Sequence, residues 1–177
     1  KGKIGKLFVM GCLSERFLKD LENELPEVDR FYGKFNWKEL LNDLGKSYHR
    51  ELAADRVLTT PRHYAYLKIA EGCDRTCSYC AIPISTGRYQ SIPMEEIEKE
   101  VRLLVKQGVK EFQVIAQDLT YYGLDLYKRH ALPELVERIS DIPGVEWIRL
   151  HYGYPSHFPY DLLRVMSERD NVCKYMD

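Results

Sequence analysis

The sequence predicts an α/β fold built on a parallel sheet, preceded by the C-terminal part of a small α/β domain at the N-terminus. Two observations carry this. From His63 onward, short apolar runs alternate with amphipathic stretches of helical period, and Gly- or Pro-containing loops separate them. Before that point the rhythm is different, and a polar, aperiodic stretch lies between the two regimes. The expected organisation is therefore residues 1–45 as the tail of the first domain, 46–62 as a linker, and 63–177 as the first part of a βα-repeat domain. Such alternation means parallel strands joined by right-handed crossovers.

In chain order, Lys6 to Met10 reads as a buried strand feeding the turn at Gly11-Cys12. Ser14 is placed to cap a helix whose apolar face is Phe17, Leu18, Leu21 and Leu25, stopped by Pro26. Val28 to Phe31 is a second short strand. Asn36-Trp37-Lys38-Glu39 has the pattern of a capping box, with Trp37, Leu40, Leu41 and Leu44 as a buried stripe and Gly45 as the stop. The basic residues of the linker region (Lys46, His49, Arg50, Arg56, Arg62) read as a solvated connector.

In the second region, Tyr64 to Glu71 is the first strand and is followed by a long cysteine-bearing loop. A helix spans Met94 to Gln107, with Ile97, Val101, Leu104 and Val105 inward and Gly108 as its stop. Glu111 to Ala116 is the second strand, and Leu132, Leu135, Val136 and Ile139 mark the next helix. Val145 to His151 is the third strand, Tyr160 to Arg169 a third helix, and Val172 to Met176 the start of a fourth strand. Functional groups in such sheets gather on the loops after the strands. That places Cys73, Cys77 and Cys80 on one rim with Gln117, Asp118 and the segment 149–154.

The loop itself reads Gly72-Cys-Asp-Arg-Thr-Cys-Ser-Tyr-Cys-Ala-Ile-Pro83, with cysteines spaced C-x₃-C-x₂-C. Thiolates this close grip one compact soft centre. A structural zinc site takes four protein ligands, as does a cubane held wholly by protein. Three ligands point to a 4Fe–4S cluster with one iron open to a small molecule. A disulfide with a spare thiol, or a zinc ion completed by a distant histidine, are the alternatives.

This cysteine spacing, with Tyr79 just before the last cysteine, resembles the signature of the radical S-adenosylmethionine enzymes. Thr86-Gly-Arg88, Ala116-Gln-Asp-Leu-Thr-Tyr-Tyr-Gly123, Trp147-Ile-Arg-Leu-His-Tyr-Gly-Tyr-Pro155 and Asn171-Val-Cys-Lys-Tyr-Met-Asp177 narrow the likeness to the methylthiotransferases. Within them, the rim loops are similar to the branch that modifies an aspartate of small ribosomal subunit protein 12. The resemblance implies a partial (β/α) barrel of radical SAM type, two 4Fe–4S clusters and S-adenosyl-L-methionine. Cys73, Cys77 and Cys80 would hold one cluster, whose open iron takes S-adenosylmethionine. Cys12, in Gly11-Cys-Leu-Ser-Glu-Arg16, is similar to the third cysteine of the family's N-terminal domain. It would join a second cluster with ligands outside this chain. Tyr79 and Gln117 would contact S-adenosylmethionine, Gln117 through its amide oxygen and the amino group. Arg149 and His151 alternate along one strand and so share a face; Arg88 is a further candidate partner for an acidic substrate. Cys173 reads as a core thiol. Ser91-Ile92-Pro93 departs from the family in having isoleucine where a basic residue is expected.

The implied reaction removes hydrogen from the β-carbon of the target aspartate and delivers a methylated sulfur to it. Its partners would be small ribosomal subunit protein 12 as substrate and a reductant protein for the cluster. The rival readings are a methylthiotransferase acting on tRNA adenosine and a non-catalytic iron–sulfur or zinc module.

Composition bounds these readings. A net charge of −1 argues against binding nucleic acid by bulk phosphate neutralisation. No apolar run approaches the ~18 residues that would span a bilayer. Five cysteines, three of them clustered, suit a reducing cytoplasm. The sequence starts at Lys1 and is expected to be a fragment.

Overall fold

The computed structural model describes residues 4–47 and 56–177. It contains two compact units: Lys1–Arg50 with Asp74–Gly87, and Glu51–Cys73 with Arg88–Asp177.

In the first unit, β1 (Phe8–Met10) pairs in parallel with β2 (Arg30–Tyr32), Val9 opposite Phe31. Helix α1 (Cys12–Glu24) crosses between them. It starts three residues earlier than Ser14 predicts: Gly11, at φ 136°, is the cap. Ser14 lies inside the helix, buried, with no hydrogen-bond partner for its Oγ among the described residues. The predicted apolar face is also not a core, because Phe17, Leu18 and Leu25 stay exposed. Two strands of three residues offer too little surface to cover a 13-residue helix. Helix α2 (Trp37–Asp43) likewise buries none of its residues. Asn36 makes no backbone cap, and its amide instead donates to Glu39 Oε1 at 2.6 Å. Tyr32 and Arg30 both bond Asp43, and the Tyr32 bond with the Arg30 charge holds that carboxyl below its usual range. The segment Asp74–Gly87 contributes α3 (Ile82–Thr86), a helix the sequence reading missed, which packs on α1.

The second unit is a three-stranded parallel sheet in the order β3 (Tyr64–Lys68), β6 (Glu111–Ile115), β7 (Trp147–Leu150). Leu67 sits opposite Val114, and Val114 opposite Leu150. Strict alternation divides this sheet. Ala65, Leu67, Phe112, Val114, Ile148 and Leu150 are buried on one face. That face is covered by α4 (Met94–Lys106), α5 (Leu132–Ser140) and α6 (Asp161–Glu168), with α5 packed against both other helices. Ile97, Val101, Leu104, Leu132, Leu135, Val136 and Ile139 are all completely buried. Each such side chain is worth roughly 1.5–3 kcal/mol of apolar burial. This is the core, and its helical stripes are those the 3.6-residue period predicts.

Two predicted strands differ. The stretch expected as one strand over 64–71 is two: β3 ends at Lys68, and β4 (Ala70–Glu71) pairs antiparallel with β5 (Gln90–Ser91). Ile69 is the pivot, its N–H on Ile115 and its carbonyl accepting from Ile92. The expected fourth strand over 172–176 is a single bridge between Val172 and Ile148. In the linker, His49 and Arg50 lie outside the described residues. Arg56 is not a solvated connector side chain, since it pairs with Glu100 at 3.4 Å and donates to the Tyr66 carbonyl. No helix is long and apolar enough to cross a membrane among the described residues.

Candidate functional site

The site begins where β3 and β6 end. Gly72 has φ 74°, a left-handed conformation that glycine adopts without the Cβ clash other residues incur, and it turns the chain out of β4 into Cys73. Cys73 is buried. Cys77 is exposed and Cys80 intermediate, joined by a turn in which the Cys80 N–H donates to the Cys77 carbonyl at 3.0 Å. Tyr79 is 94% exposed and so takes no part in the core. Cys12 is exposed at the first position of α1. Cys173 is buried, and burial pushes its thiol pKa up. The described residues include all five cysteines, and no disulfide joins any of them. Among the described residues no group of three or more His, Cys, Asp or Glu is gathered as a metal site.

The donor chemistry nonetheless suits an iron–sulfur cluster. Three thiols lie on one short loop, with irregular backbone between Gly72 and Ala81 that leaves the ligand side chains adjustable. Two residues before Cys73, Glu71 forms part of the wall of a cavity of about 350 Å³. Lys68, Ala70, Ile115, Ala116, Gln117 and Tyr152 complete it. Gln117, predicted from sequence, is therefore at a cavity. Tyr152 belongs to the segment 149–154 expected at this rim, whereas Lys68 and Glu71 were not predicted. The signal for Lys68 was available, because two-residue alternation puts it on the face opposite Ala65 and Leu67. Lys68 and Glu71 form an ion pair with each other.

The loops around this cavity are tied together. The Leu119 N–H donates to the Tyr152 carbonyl at 3.1 Å, joining the loop after β6 to the loop after β7. Asp118, buried, accepts from the Thr120 N–H at 2.9 Å and from Thr120 Oγ1 at 2.6 Å, capping the 3₁₀ turn Leu119–Tyr121. Tyr89 donates its hydroxyl to the Asp118 carbonyl at 2.8 Å. Burial, reinforced by the charges of Asp118 and Asp125, pushes the Tyr89 phenol pKa far up. Ile92, the departure noted in sequence, packs against the core and accepts from Tyr122 Oη at 2.7 Å. Arg88 is exposed.

Arg149 and His151 lie on the face of the sheet opposite these helices, with Glu111 and Gln113. Arg149 Nε lies 3.4 Å from Glu111 Oε1, and Gln113 Nε2 donates to the same oxygen at 2.6 Å. His151 Nε2 is 2.6 Å from Gln113 Oε1.

Comparison with known proteins bears on what this arrangement does. Residues 67–174 match the Radical SAM superfamily. Over all 177 residues the chain is 86% identical to a protein of Parabacteroides distasonis named ribosomal protein uS12 methylthiotransferase RimO. It is 76% identical to the protein of the same name from Bacteroides thetaiotaomicron. It spans 41% of the length of each of these relatives. Among solved structures it is similar to the radical S-adenosylmethionine methyltransferase TsrM of Kitasatospora setae. That likeness covers 62% of this chain and 19% of the other, at 18% identity and a TM-score of 0.47.

Proposed function

Since the chain belongs to the radical SAM superfamily, we propose that it is part of a cytoplasmic enzyme that adds a methylthio group to the β-carbon of an aspartate in small ribosomal subunit protein 12. The observation that carries the reading is the C-x₃-C-x₂-C loop, which leaves the strand end two residues beyond Glu71, a wall of the cavity that also holds Gln117. The names of the relatives at 86% and 76% identity support the choice of substrate.

Cys73, Cys77 and Cys80 would hold a 4Fe–4S cluster as thiolates, their deprotonation enforced by the metal. When bound, that cluster and S-adenosylmethionine supply a hydrogen-abstracting radical, and a second cluster supplies the sulfur. Gln117 would accept a hydrogen bond from the amino group of S-adenosylmethionine, and its exposed amide is available to do so. Tyr79, outward on the cysteine loop, would contact the same molecule. Cys12 would ligate the second cluster with residues outside this chain. Lys68 and Glu71 line the cavity with opposite charges and give it no net charge of its own. A reductant protein would deliver electrons.

The test uses the full-length protein, reconstituted anaerobically with iron and sulfide and given reductant and S-adenosylmethionine. It is offered a peptide from protein 12 or a tRNA substrate, and products are weighed by mass spectrometry. The expected result is a methylthio mass gain on the peptide aspartate. Modification of tRNA adenosine alone would replace this reading with its relative.

A further inference from the structure

Resting on the reading just given, we infer that the face of the sheet opposite its helices ends in a carboxylate-binding subsite, formed by His151 Nδ1 and the Tyr152 backbone N–H, that recognises the side chain of the target aspartate. The argument starts from donor bookkeeping. Glu111 Oε1 can only accept, and it accepts from Arg149 Nε at 3.4 Å and Gln113 Nε2 at 2.6 Å. The Gln113 amide is thereby oriented with its oxygen toward His151, 2.6 Å from Nε2. An amide oxygen only accepts, so Nε2 carries a proton and Nδ1 is the end left for another group.

Nδ1 faces a carboxylate. Asp177 Oδ2 lies 3.9 Å from it, while Asp177 Oδ1 accepts from the Tyr152 N–H at 2.8 Å. Tyr152 presents that N–H from a left-handed conformation, φ 67°, which a non-glycine residue rarely adopts. One aspartate side chain is therefore already seated between these two groups, and the side chains of His151 and Asp177 are 24% and 37% exposed. The seat is accessible to exchange. Tyr152 is also a wall of the cavity that holds Gln117, so a carboxylate gripped here presents its neighbouring methylene next to that cavity. Replacing Asp177 by a substrate aspartate swaps one carboxylate for another and leaves the local charge unchanged. The bond from the Tyr152 N–H to a carboxylate is charge-assisted, and a carboxamide cannot match it. Arg149, Glu111 and Gln113 act as positioning residues for His151, and the Tyr175 ring packs 6.0 Å from the imidazole.

The experiment measures binding of two labelled protein 12 peptides to the full-length reconstituted enzyme by fluorescence anisotropy. One carries the target aspartate, the other asparagine. Losing a charge-assisted bond is worth at least about tenfold in affinity. The wild type should therefore prefer the aspartate peptide by about tenfold or more, and His151→Gln should reduce that preference to near unity. Asp177→Ala, which removes the competing carboxylate, should tighten the aspartate peptide several-fold and leave the asparagine peptide unchanged. Equal binding of the two peptides by wild type overturns the inference, as does undiminished preference in a folded His151→Gln. Should His151→Gln misfold, Asp177→Ala alone decides, and an unchanged aspartate-peptide affinity overturns it. Reductive cleavage of S-adenosylmethionine by the wild type is scored separately. Cleavage without peptide discrimination sinks the subsite and leaves the enzyme assignment standing; discrimination without cleavage does the reverse.

Discussion

Ser91 and Asp125 are bonded twice: the Ser91 N–H donates to Asp125 Oδ2 at 2.8 Å and the Ser91 hydroxyl to Oδ1 at 2.5 Å. The same hydroxyl accepts from the Gly123 N–H at 2.9 Å. Ser91 is in β5, which with β4 closes the base from which the cysteine loop leaves. Ser91→Ala strands a backbone donor and weakens the hold on a carboxylate. The expected cost is about 1–3 kcal/mol, read as a lower urea midpoint at unchanged slope. A midpoint equal to that of the unmodified chain would show that the clasp contributes nothing.

Gly123 supports the same junction from the other side. Its φ is 89°, and a Cβ there would lie 2.4 Å from Ala131 Cβ and 2.9 Å from the Arg129 carbonyl oxygen. Gly123→Ala thus combines backbone strain with a backbone collision. It should destabilise by more than the ~1 kcal/mol that glycine-to-alanine replacement can gain at a compatible site. Thermal unfolding of the variant checks this, and an unchanged or raised melting temperature would refute it.

Tyr89 and Tyr122 are buried, and burial pushes both phenols far above the ordinary tyrosine range. In the unfolded chain they ionise near pH ~10. Above that pH the unfolded state has released protons that the folded state keeps, so stability falls as pH rises. Each tyrosine adds a slope of about 1.4 kcal/mol per pH unit, and below pH ~10 this contribution is fully present. Denaturant titrations between pH 9 and 11, roughly bracketing that value, should show a shallower decline in Tyr89→Phe than in wild type. Parallel curves would contradict it.

The helices of the second unit were legible because their periodicity is backed by burial. Ile97, Val101 and Leu104 form a stripe at i, i+4, i+7, and the sheet face they cover is complete. The same pattern misled in the first unit. Phe17, Leu18 and Trp37 have helical spacing but remain exposed, since periodicity reports a face and not what covers it. The split of 64–71 into β3 and β4 was hidden because Ile69 and Ala70 continue the apolar run, while the change of partner depends on β5, some 20 residues away. At the site, cysteine spacing was readable as local chemistry. The His151–Gln113–Glu111–Arg149 chain was only half readable: alternation puts Arg149 and His151 on one face, but the strand register that brings Gln113 and Glu111 beside them is non-local.

The proposed ligand set makes one expectation for the loop cysteines and another for Cys173. Cys73→Ala, Cys77→Ala and Cys80→Ala should each lose most of the iron of that cluster after reconstitution of the full-length protein. Cys173→Ala, at a buried thiol next to the Val172 bridge, should retain it. Iron and acid-labile sulfide per chain provide the readout. Equal iron in all four variants would mean that the loop is not the ligand set.

The most direct measurement is the electron paramagnetic resonance spectrum of the reduced, oxygen-free full-length protein, recorded before and after adding S-adenosylmethionine, with only the Cys73–Cys80 cluster present through Cys12→Ala. Three thiolates leave one iron to the added molecule, so the signal should shift on addition and the molecule should then be cleaved. A cluster signal that ignores S-adenosylmethionine, or a stoichiometric zinc ion in place of iron, would contradict the assignment.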